Sequence, residues 1–161
     1  MFNLKAELYL KIIFLFSAIA LISAFFIEYV LGHQPCNLCL IERIPYVLSI
    51  IIIIAIFLIK KNQKFLVLLL ILTFTFSFAI SFYHFGIEQD FFQDSSVCGV
   101  KSLTEIITKE DLLKQLSEKT ISCRDVTFRI FGLSLTSINI IVSLLFIVIL
   151  TKIYTRYEEN R

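Results

Sequence analysis

Four long apolar runs constrain this chain more than any other feature of its sequence. They cover residues 12–31, 40–59, 65–82 and 130–150. A membrane-spanning helix needs about 20 mostly apolar residues, and within hydrocarbon a helix satisfies its own backbone hydrogen bonds. The runs therefore predict an all-α integral membrane protein, a four-transmembrane-helix bundle. A short first outer loop (32–39) and a long second outer loop (83–129) would join the helices.

The composition indicates one membrane domain. Apolar residues make up 58% of the 161 residues, above the roughly 45–50% of soluble domains. Charged residues are sparse at 17% and nearly balanced, with a formal net charge of +2. This argues against a nucleic-acid-binding protein, which would show a basic face or stripe. No segment outside the runs is long enough for a separate catalytic domain, so residues 1–161 are expected to form a single domain.

The first run has some features of a secretory signal peptide. Lys5 and Lys11 precede it, and Ala18-Ile19-Ala20 resembles a cleavage site. That triplet lies in the middle of the run, however, and the apolar stretch continues beyond it. An uncleaved membrane anchor is the favoured interpretation.

The distribution of basic residues predicts the orientation. Three segments that share one side of a four-span protein carry lysines and arginines: Lys5, Lys11, Lys60, Lys61, Lys64, Lys152, Arg156 and Arg161. Short cytoplasmic segments are enriched in such residues. Both termini are therefore expected in the cytoplasm, and the two outer loops on the opposite side.

Part of the long outer loop has a helical pattern. Thr108 could cap a short helix, with Asp111 three residues further on. Leu112, Leu113 and Leu116 would then share one face. Such a helix could lie on the membrane surface or pack on the bundle as an ordinary loop helix.

All four cysteines fall in the predicted outer loops: Cys36, Cys39, Cys98 and Cys123. An even number of cysteines in an oxidising compartment usually indicates disulfides. Two structural disulfides are the simplest interpretation. A Cys36–Cys39 bond would close a loop so short that it removes little chain entropy, however. The Cys-x-x-Cys spacing instead favours a reactive pair, since one thiol can resolve a bond made by the other.

The residues around this pair could adjust its reactivity. Pro35 and the two cysteines lie where the second helix is expected to begin, near its positive end. If the helix starts there, Cys39 and Arg43 are i, i+4 neighbours on one face. A guanidinium beside the sulfur would stabilise a thiolate at Cys39.

Pro45 leaves the start of the second helix open. It could kink the helix, or it could open the helix and leave the cysteines in a loop above. The earlier start is favoured because residues 46–59 are too short to span. Glu42 and Arg43 then lie near the membrane boundary, where charged residues are functional candidates. The alternative for both residues is an interfacial ion pair or a snorkelling anchor.

A zinc site is another possibility for the cysteines. Four thiolates could make a tetrahedral site, with His33 or His84 as substitutes. Cys98 and Cys123 lack the local Cys-x-x-Cys pairing that closed zinc sites usually show in both halves. No resident metal is therefore expected.

Several segments together resemble the disulfide bond formation protein B (DsbB) family. The first is Pro-Cys-Asn-Leu-Cys-Leu-Ile-Glu-Arg at residues 35–43. Next comes Tyr-His-Phe-Gly-Ile-Glu-Gln at residues 83–89, ahead of Cys98. Cys-Arg-Asp-Val at residues 123–126 and Phe-Gly-Leu-Ser at residues 131–134 follow in family order. The resemblance covers nearly the whole chain.

The resemblance implies an enzyme, a quinone-dependent thiol oxidoreductase in a bacterial inner membrane with its cysteines on the periplasmic side. A soluble thioredoxin-fold oxidase of the DsbA type would be its partner, and ubiquinone or menaquinone its acceptor. By position in the family pattern, the partner attacks Cys98, and Cys123 can then pair with Cys36. Cys39 remains as a thiolate facing the quinone, stabilised by Arg43.

Glu42 and His84 are placed near the quinone by the same pattern, where they could affect its binding. An interfacial hydrogen-bonding role is the alternative for His84.

Two rival identities remain at the level of sequence. Vitamin K epoxide reductase-like enzymes share the four-helix core, but in that family's pattern the loop cysteines precede the Cys-x-x-Cys pair. A non-enzymatic membrane protein with structural disulfides or a cysteine zinc site is the rival from another class.

Overall fold

The computed structural model describes residues 4–59, 62–93, 98, 123–124, 129–130 and 132–159. Four helical segments in this part of the chain are long and apolar enough to cross a membrane. The predicted all-α fold with four spanning segments is therefore confirmed.

The elements follow the chain in simple order. The helices are α1 (Leu4–Tyr29), α2 (Asn37–Ile41), α3 (Ile44–Leu58), α4 (Gln63–Glu88) and α5 (Leu135–Glu159). The second spanning segment, Asn37–Leu58, consists of α2 and α3 together. A two-residue antiparallel pairing of β1 (Arg129–Ile130) with β2 (Leu133–Ser134) leads into α5.

The second spanning segment is interrupted between α2 and α3. The Arg43 amide donates to the carbonyl of Leu40 at 3.2 Å, three residues back, so the helix tightens there. Pro45 follows in the first turn of α3, where its missing N–H leaves no helical bond unmade. The two sequence-based alternatives therefore both describe part of this segment: the cysteines begin a short helix, and a second helix begins at the proline.

An apolar core holds the helices together at the end away from the cysteines. Helix α4 packs most extensively against α5, and α3 contacts both α1 and α4. The Phe74 ring makes edge-to-face contacts with Phe146 at 5.0 Å and with Tyr46 at 6.3 Å between centroids. Buried aliphatic side chains complete this core: Leu10, Ile13, Ile53, Ile56, Val67, Leu70, Leu150 and Ile153.

The C-terminus of α4 turns sharply over a glycine. The amides of Phe91 and Phe92 both donate to the carbonyl of Gly86, at 2.8 and 3.1 Å. A Cβ atom on Gly86 would overlap the Phe92 ring, which lies directly on the glycine and stacks on Tyr83. The absence of a side chain at this position therefore allows the turn to fold back onto α4.

Some sequence-based predictions lie outside the described residues. They include the amphipathic helix expected around Thr108, Leu112 and Leu116. The basic residues Lys60, Lys61 and Arg161 also fall there.

Candidate redox site

The four cysteines form two pairs. Cys98 and Cys123 are joined by a disulfide, with 5.6 Å between their Cα atoms. Cys36 and Cys39 are free thiols. Cys36 is the N-cap of α2, and its sulfur accepts a hydrogen bond from the Cys39 amide at 3.2 Å. The helix start thus brings the two free sulfurs together.

The loop disulfide is docked on the free pair. Cys98 and Cys123 are only 1% and 2% exposed, and they share one buried cluster with Cys36, Leu38 and Ile87. The same cluster is bordered by Cys39, Ile41 and Tyr83. The two pairs are therefore adjacent, which is the arrangement that thiol–disulfide exchange between them requires.

An ion pair holds this docked arrangement at its edge. Arg124, next to Cys123, donates through Nε to Oδ1 of Asp90 at 2.9 Å, just past the end of α4. Both side chains are largely exposed, so the pair contributes at most about 1 kcal/mol. It links the residue after Cys123 to the turn that follows α4.

His84 connects Cys36 to a buried carboxylate. Its Nε2 lies 3.6 Å from the Cys36 sulfur, and its Nδ1 lies 2.9 Å from Oε1 of Glu42. The ring is 2% exposed. An ionised carboxylate only accepts, so Nδ1–H donates to Glu42 and Nε2 faces the sulfur. The ring can therefore share a proton with Cys36.

The surroundings of Cys36 favour its thiolate. A hydrogen bond from the Cys39 thiol lowers the pKa of Cys36, and contact with His84 lowers it further; against the opposing effect of burial, the pKa reaches about 4. Cys36 is thus the sulfur of the pair whose charged form the structure stabilises directly.

Glu42 is held from its other side by a polar network that the sequence analysis did not predict. Its Oε2 accepts from Nδ2 of Asn139 at 3.2 Å, and Asn139 also donates to Ser81 at 2.7 Å. The Tyr46 hydroxyl donates to Oδ1 of Asn139 at 2.5 Å. These groups are buried. A polar residue inside an apolar run was the signal for Asn139, because such residues usually face a partner within the bundle.

A second buried carboxylate lies beside the same histidine. Oε1 of Glu88 accepts from the Thr136 hydroxyl at 2.6 Å and lies 4.0 Å from Nε2 of His84. Its Oε2 is buried without a hydrogen-bond partner among the described residues. Glu88 belongs to the motif at residues 83–89, but no pattern in the sequence distinguished it as a site residue.

Arg43 does not lie beside Cys39 as an i, i+4 neighbour on one continuous helix. Its guanidinium donates to Oε2 of Glu28 at 2.5 Å and lies 5.2 Å above the centre of the Phe25 ring, both on α1. The interruption between α2 and α3 accounts for this change, because Arg43 no longer continues the helix that contains Cys39. Arg43 and Cys39 still line one common cavity.

This cavity, of about 230 Å³, lies between α1, the α2–α3 segment and α5. Apolar side chains such as Phe16, Leu21 and Val142 form part of its wall. Its polar lining comprises Ser23, His33, Gln34, Cys39, Glu42, Arg43, Tyr46, Thr136 and Asn139. His84 lies behind Cys36 and reaches this lining through Glu42. Cys39 is therefore the member of the free pair that faces the cavity.

A four-cysteine zinc site is not formed in this structure, because Cys98 and Cys123 are bonded to each other. The sulfurs of Cys36 and Cys39 and one ring nitrogen of His84 do lie within 4.8 Å of one another. These three residues are a possible ligand set within the described part of the chain.

Comparison with known proteins identifies the family of this chain. The sequence profile of the family described as "Disulfide bond formation protein DsbB" matches residues 6–153. A relative from Rickettsia prowazekii (strain Madrid E), "Uncharacterized protein RP370", is 28% identical over 147 residues, covering 90% of this chain and 86% of the relative. The matched range contains all four cysteines, the second and third spanning segments, and most of the first and fourth. The chain therefore belongs to the DsbB family of disulfide bond formation proteins and is a multi-pass membrane protein with a thiol oxidoreductase role.

Proposed function

We propose that this protein reoxidises a soluble thioredoxin-fold partner of the DsbA type and passes the electrons to a membrane quinone. The observation that carries the proposal is the position of the two cysteine pairs. The loop disulfide shares one buried cluster with Cys36, and the neighbouring Cys39 faces a cavity between helices. Electrons from a soluble protein could then pass from the loop disulfide to the free pair and from Cys39 into the membrane.

The proposed transfer begins at the loop disulfide. A thiolate of the reduced partner attacks Cys98, which breaks the Cys98–Cys123 bond and releases Cys123 as a thiolate. The second thiolate of the partner then attacks the mixed disulfide. The partner leaves oxidised, and Cys98 and Cys123 remain as a dithiol.

The second transfer is internal. The Cys123 thiolate attacks Cys36 in a Cys36–Cys39 disulfide and releases Cys39 as a thiolate. Attack by Cys98 on the resulting Cys36–Cys123 bond restores the loop disulfide and leaves Cys36 and Cys39 reduced. This oxidised loop pair with a free inner pair is the covalent state seen here.

The energetics require a strong terminal acceptor. A DsbA-type partner has a reduction potential near about −120 mV, whereas structural disulfides lie below about −300 mV. An ordinary disulfide would therefore have to accept electrons uphill by roughly 180 mV. A membrane-soluble oxidant removes this difficulty, and it would have access to a site between helices.

The cavity residues fit a quinone. Phe16, Leu21 and Val142 offer an apolar surface for a ring, and Arg43 offers a cationic donor for an oxygen. A bound quinone supplies a two-electron, two-proton acceptor. Ubiquinone and menaquinone both meet this description.

The protein's own groups would position the thiols and manage their protons. Cys39 presents its sulfur to the cavity, and Cys36 gives its proton to Nε2 of His84. Glu42 holds the His84 ring in the orientation that this requires. We assign the quinone-binding role to Arg43, Glu42 and His84, with His84 acting through Glu42 rather than at the cavity wall.

The proposal includes a location. We place the protein in a bacterial inner membrane with both termini in the cytoplasm and the four cysteines on the periplasmic side. The lysine and arginine distribution supports this orientation, and the oxidising periplasm suits a disulfide-forming protein.

The test is a reconstituted reaction with purified protein, a reduced thioredoxin-fold partner and a defined quinone. Quinone absorbance should fall as partner thiols disappear, at one quinone for every two thiols. Cys39→Ser should abolish quinone loss. Thiol loss without quinone consumption would contradict the proposal, and an inert protein with both pairs oxidised would indicate structural disulfides.

A further inference from the structure

The free cysteines and His84 have the separations of a metal site. In tetrahedral sites, Zn²⁺ lies about 2.3 Å from a thiolate sulfur and about 2.0–2.1 Å from an imidazole nitrogen, which places these two ligand atoms about 3.5 Å apart. The Cys36 sulfur and Nε2 of His84 are already 3.6 Å apart. The Cys39 sulfur lies within 4.8 Å of the Cys36 sulfur and of one ring nitrogen of His84. Small side-chain rotations would bring all three atoms to one ion.

The orientation of His84 suits a metal ligand as well. Histidines that bind zinc almost always donate their other ring N–H to a carboxylate, a backbone carbonyl or water. Here Nδ1 donates to Oε1 of Glu42 at 2.9 Å. That bond leaves the lone pair on Nε2, which is the nitrogen beside the sulfurs. Asn139 in turn fixes Glu42, so the ring is held from behind.

The local charges favour a cation. Two thiolates would neutralise a divalent ion, and the nearby Glu88 carboxylate has a buried oxygen with no hydrogen-bond partner among the described residues. A cation beside His84 would give that oxygen a counter-charge. An open fourth coordination position could be filled by water, as in zinc sites with three protein ligands.

We propose that the reduced protein binds one thiophilic divalent cation, such as Zn²⁺ or Cd²⁺, through Cys36, Cys39 and His84. Binding forms two metal–sulfur bonds and releases the two thiol protons, with no change of oxidation state. The Cys36–Cys39 disulfide has no thiolate to offer and does not bind. The site is therefore specific for one redox state of the protein.

Such cations would therefore inhibit quinone reduction. An ion bound to both sulfurs holds the pair reduced and prevents Cys39 from giving up electrons. The inhibition rests on the proposed function, whereas the binding itself does not. A chelator should reverse both the binding and the inhibition.

The binding test uses full-length Cys98→Ser/Cys123→Ser protein, so that only the inner pair can bind. Cd²⁺ should give ultraviolet thiolate-to-metal absorption that saturates at one ion per reduced protein, and none after oxidation. Cys36→Ser and His84→Gln should each weaken binding at least about tenfold, since even residues behind the ligands affect affinity by about 10–100-fold. His33→Gln is the matched control, because His33 lines the cavity but is outside the three-residue cluster. It should bind as the parent does.

A second measurement needs no histidine variant. X-ray absorption of the Zn²⁺-loaded double-serine protein should show two sulfurs at about 2.3 Å and imidazole nitrogen at about 2.0–2.1 Å. A spectrum without imidazole, or equal Cd²⁺ affinity in His84→Gln and parent, would overturn the proposed ligand set. No saturable absorption in the reduced protein would overturn the site itself. Failure of quinone reduction in the earlier assay would leave these results unaffected.

Discussion

At the scale of single residues, His84 is the group that connects the redox pair to the rest of the bundle. It contacts Cys36 on one side and Glu42 on the other, and Glu88 lies close to its ring. The reactivity of Cys36 therefore depends on side chains from α4 and from the α2–α3 segment. Two predictions concern Cys36 and the network behind Glu42, and a third concerns Arg43.

The first prediction is that Cys36 stays reactive in mild acid. Its pKa of about 4 means that the thiolate persists well below the ordinary thiol pKa of about 8.5. The rate of alkylation of reduced Cys36 by iodoacetamide, followed by mass spectrometry, should change little between about pH 5 and pH 8. Cys39→Ala and His84→Gln should each shift the profile towards higher pH, because each removes a contact that stabilises the Cys36 thiolate. A wild-type profile with a midpoint near pH 8.5 would refute the assignment.

The second prediction is that Asn139→Ala destabilises the protein more than Tyr46→Phe. The first change removes the hydrogen bonds that Asn139 makes with Oε2 of Glu42 and with the Tyr46 hydroxyl, and each buried polar atom left unsatisfied costs about 1–3 kcal/mol. The second removes one hydroxyl, and Asn139 keeps a weak contact from Ser143 at 3.5 Å. Thermal unfolding in detergent should therefore occur at a clearly lower temperature for Asn139→Ala. Equal midpoints for the two variants would show that the network does not stabilise the bundle.

The third prediction is that Arg43→Ala raises the apparent KM for quinone or slows quinone reduction, while electron transfer from the partner to Cys98–Cys123 survives. Arg43→Lys should be intermediate, because lysine keeps the charge but not the planar donor geometry. Glu28→Gln is a useful control, since it breaks the ion pair but retains the guanidinium. Wild-type quinone kinetics in Arg43→Ala would show that Arg43 serves only as a membrane anchor.

At the scale of elements, the turn after α4 lies beside the redox site. Gly86 allows the chain to fold back, and Phe92 packs on the glycine and on Tyr83. Asp90, with φ of +61°, lies in the same turn and forms the ion pair with Arg124. The geometry of this turn therefore helps to set where Cys123 meets Cys36.

The fourth prediction tests this turn with a double-mutant cycle. Alanine in a helix is normally better than glycine by about 1 kcal/mol. Gly86→Ala should nevertheless destabilise the protein, because the new Cβ overlaps the Phe92 ring. In a Phe92→Ala background the same change should be neutral or stabilising. Thermal unfolding of the four proteins measures the coupling, and additive effects would exclude the Phe92 contact as the cause.

The sequence predicted elements better than it predicted their ends. Each apolar run marks a stretch that hydrocarbon requires to be helical, so all four spans could be found. A helix can continue beyond the hydrocarbon, and α1 begins at Leu4 because Lys5, Glu7 and Lys11 are compatible with a helix in water. The break at Glu42 and Arg43 depends on where Pro45 falls in the first turn of α3, which the pattern alone left open.

The site was predictable as a motif but not as a network. The Cys-x-x-Cys spacing and the family resemblance singled out Cys36, Cys39, Glu42, Arg43 and His84. Their partners are far away in the chain, however. Asn139 and Glu28 contact these residues only because helices cross, and no local pattern indicates such crossings.

At the scale of the whole molecule, the loop disulfide is buried against the spanning helices. Cys98 is 1% and Cys123 2% exposed, so a soluble partner can reach this disulfide only when it becomes more accessible than it is here. The DsbB family pattern makes Cys98 the sulfur that we expect the partner to attack.

The fifth prediction follows from this arrangement. A thioredoxin-fold partner with its second cysteine replaced by alanine cannot resolve the mixed disulfide and should be trapped on this protein. The complex should be lost in Cys98→Ser and persist in Cys39→Ser. Mass spectrometry should locate the bond at Cys98, and a bond mainly at Cys36 or Cys123 would overturn the assigned electron route.

The position of the polar network limits where protons can move. Among the described residues, its buried polar side chains extend no deeper than Ser17, Ser49, Ser77 and Ser143. Beyond Ser49 the buried side chains of α3 are aliphatic to the end of the helix, about 14 Å at 1.5 Å per residue. In the described part of the chain, this half of the bundle has no buried polar side chain that could relay a proton. We therefore expect protons that enter or leave at His84 to exchange with the cysteine-bearing side, so that turnover does not dissipate the membrane potential.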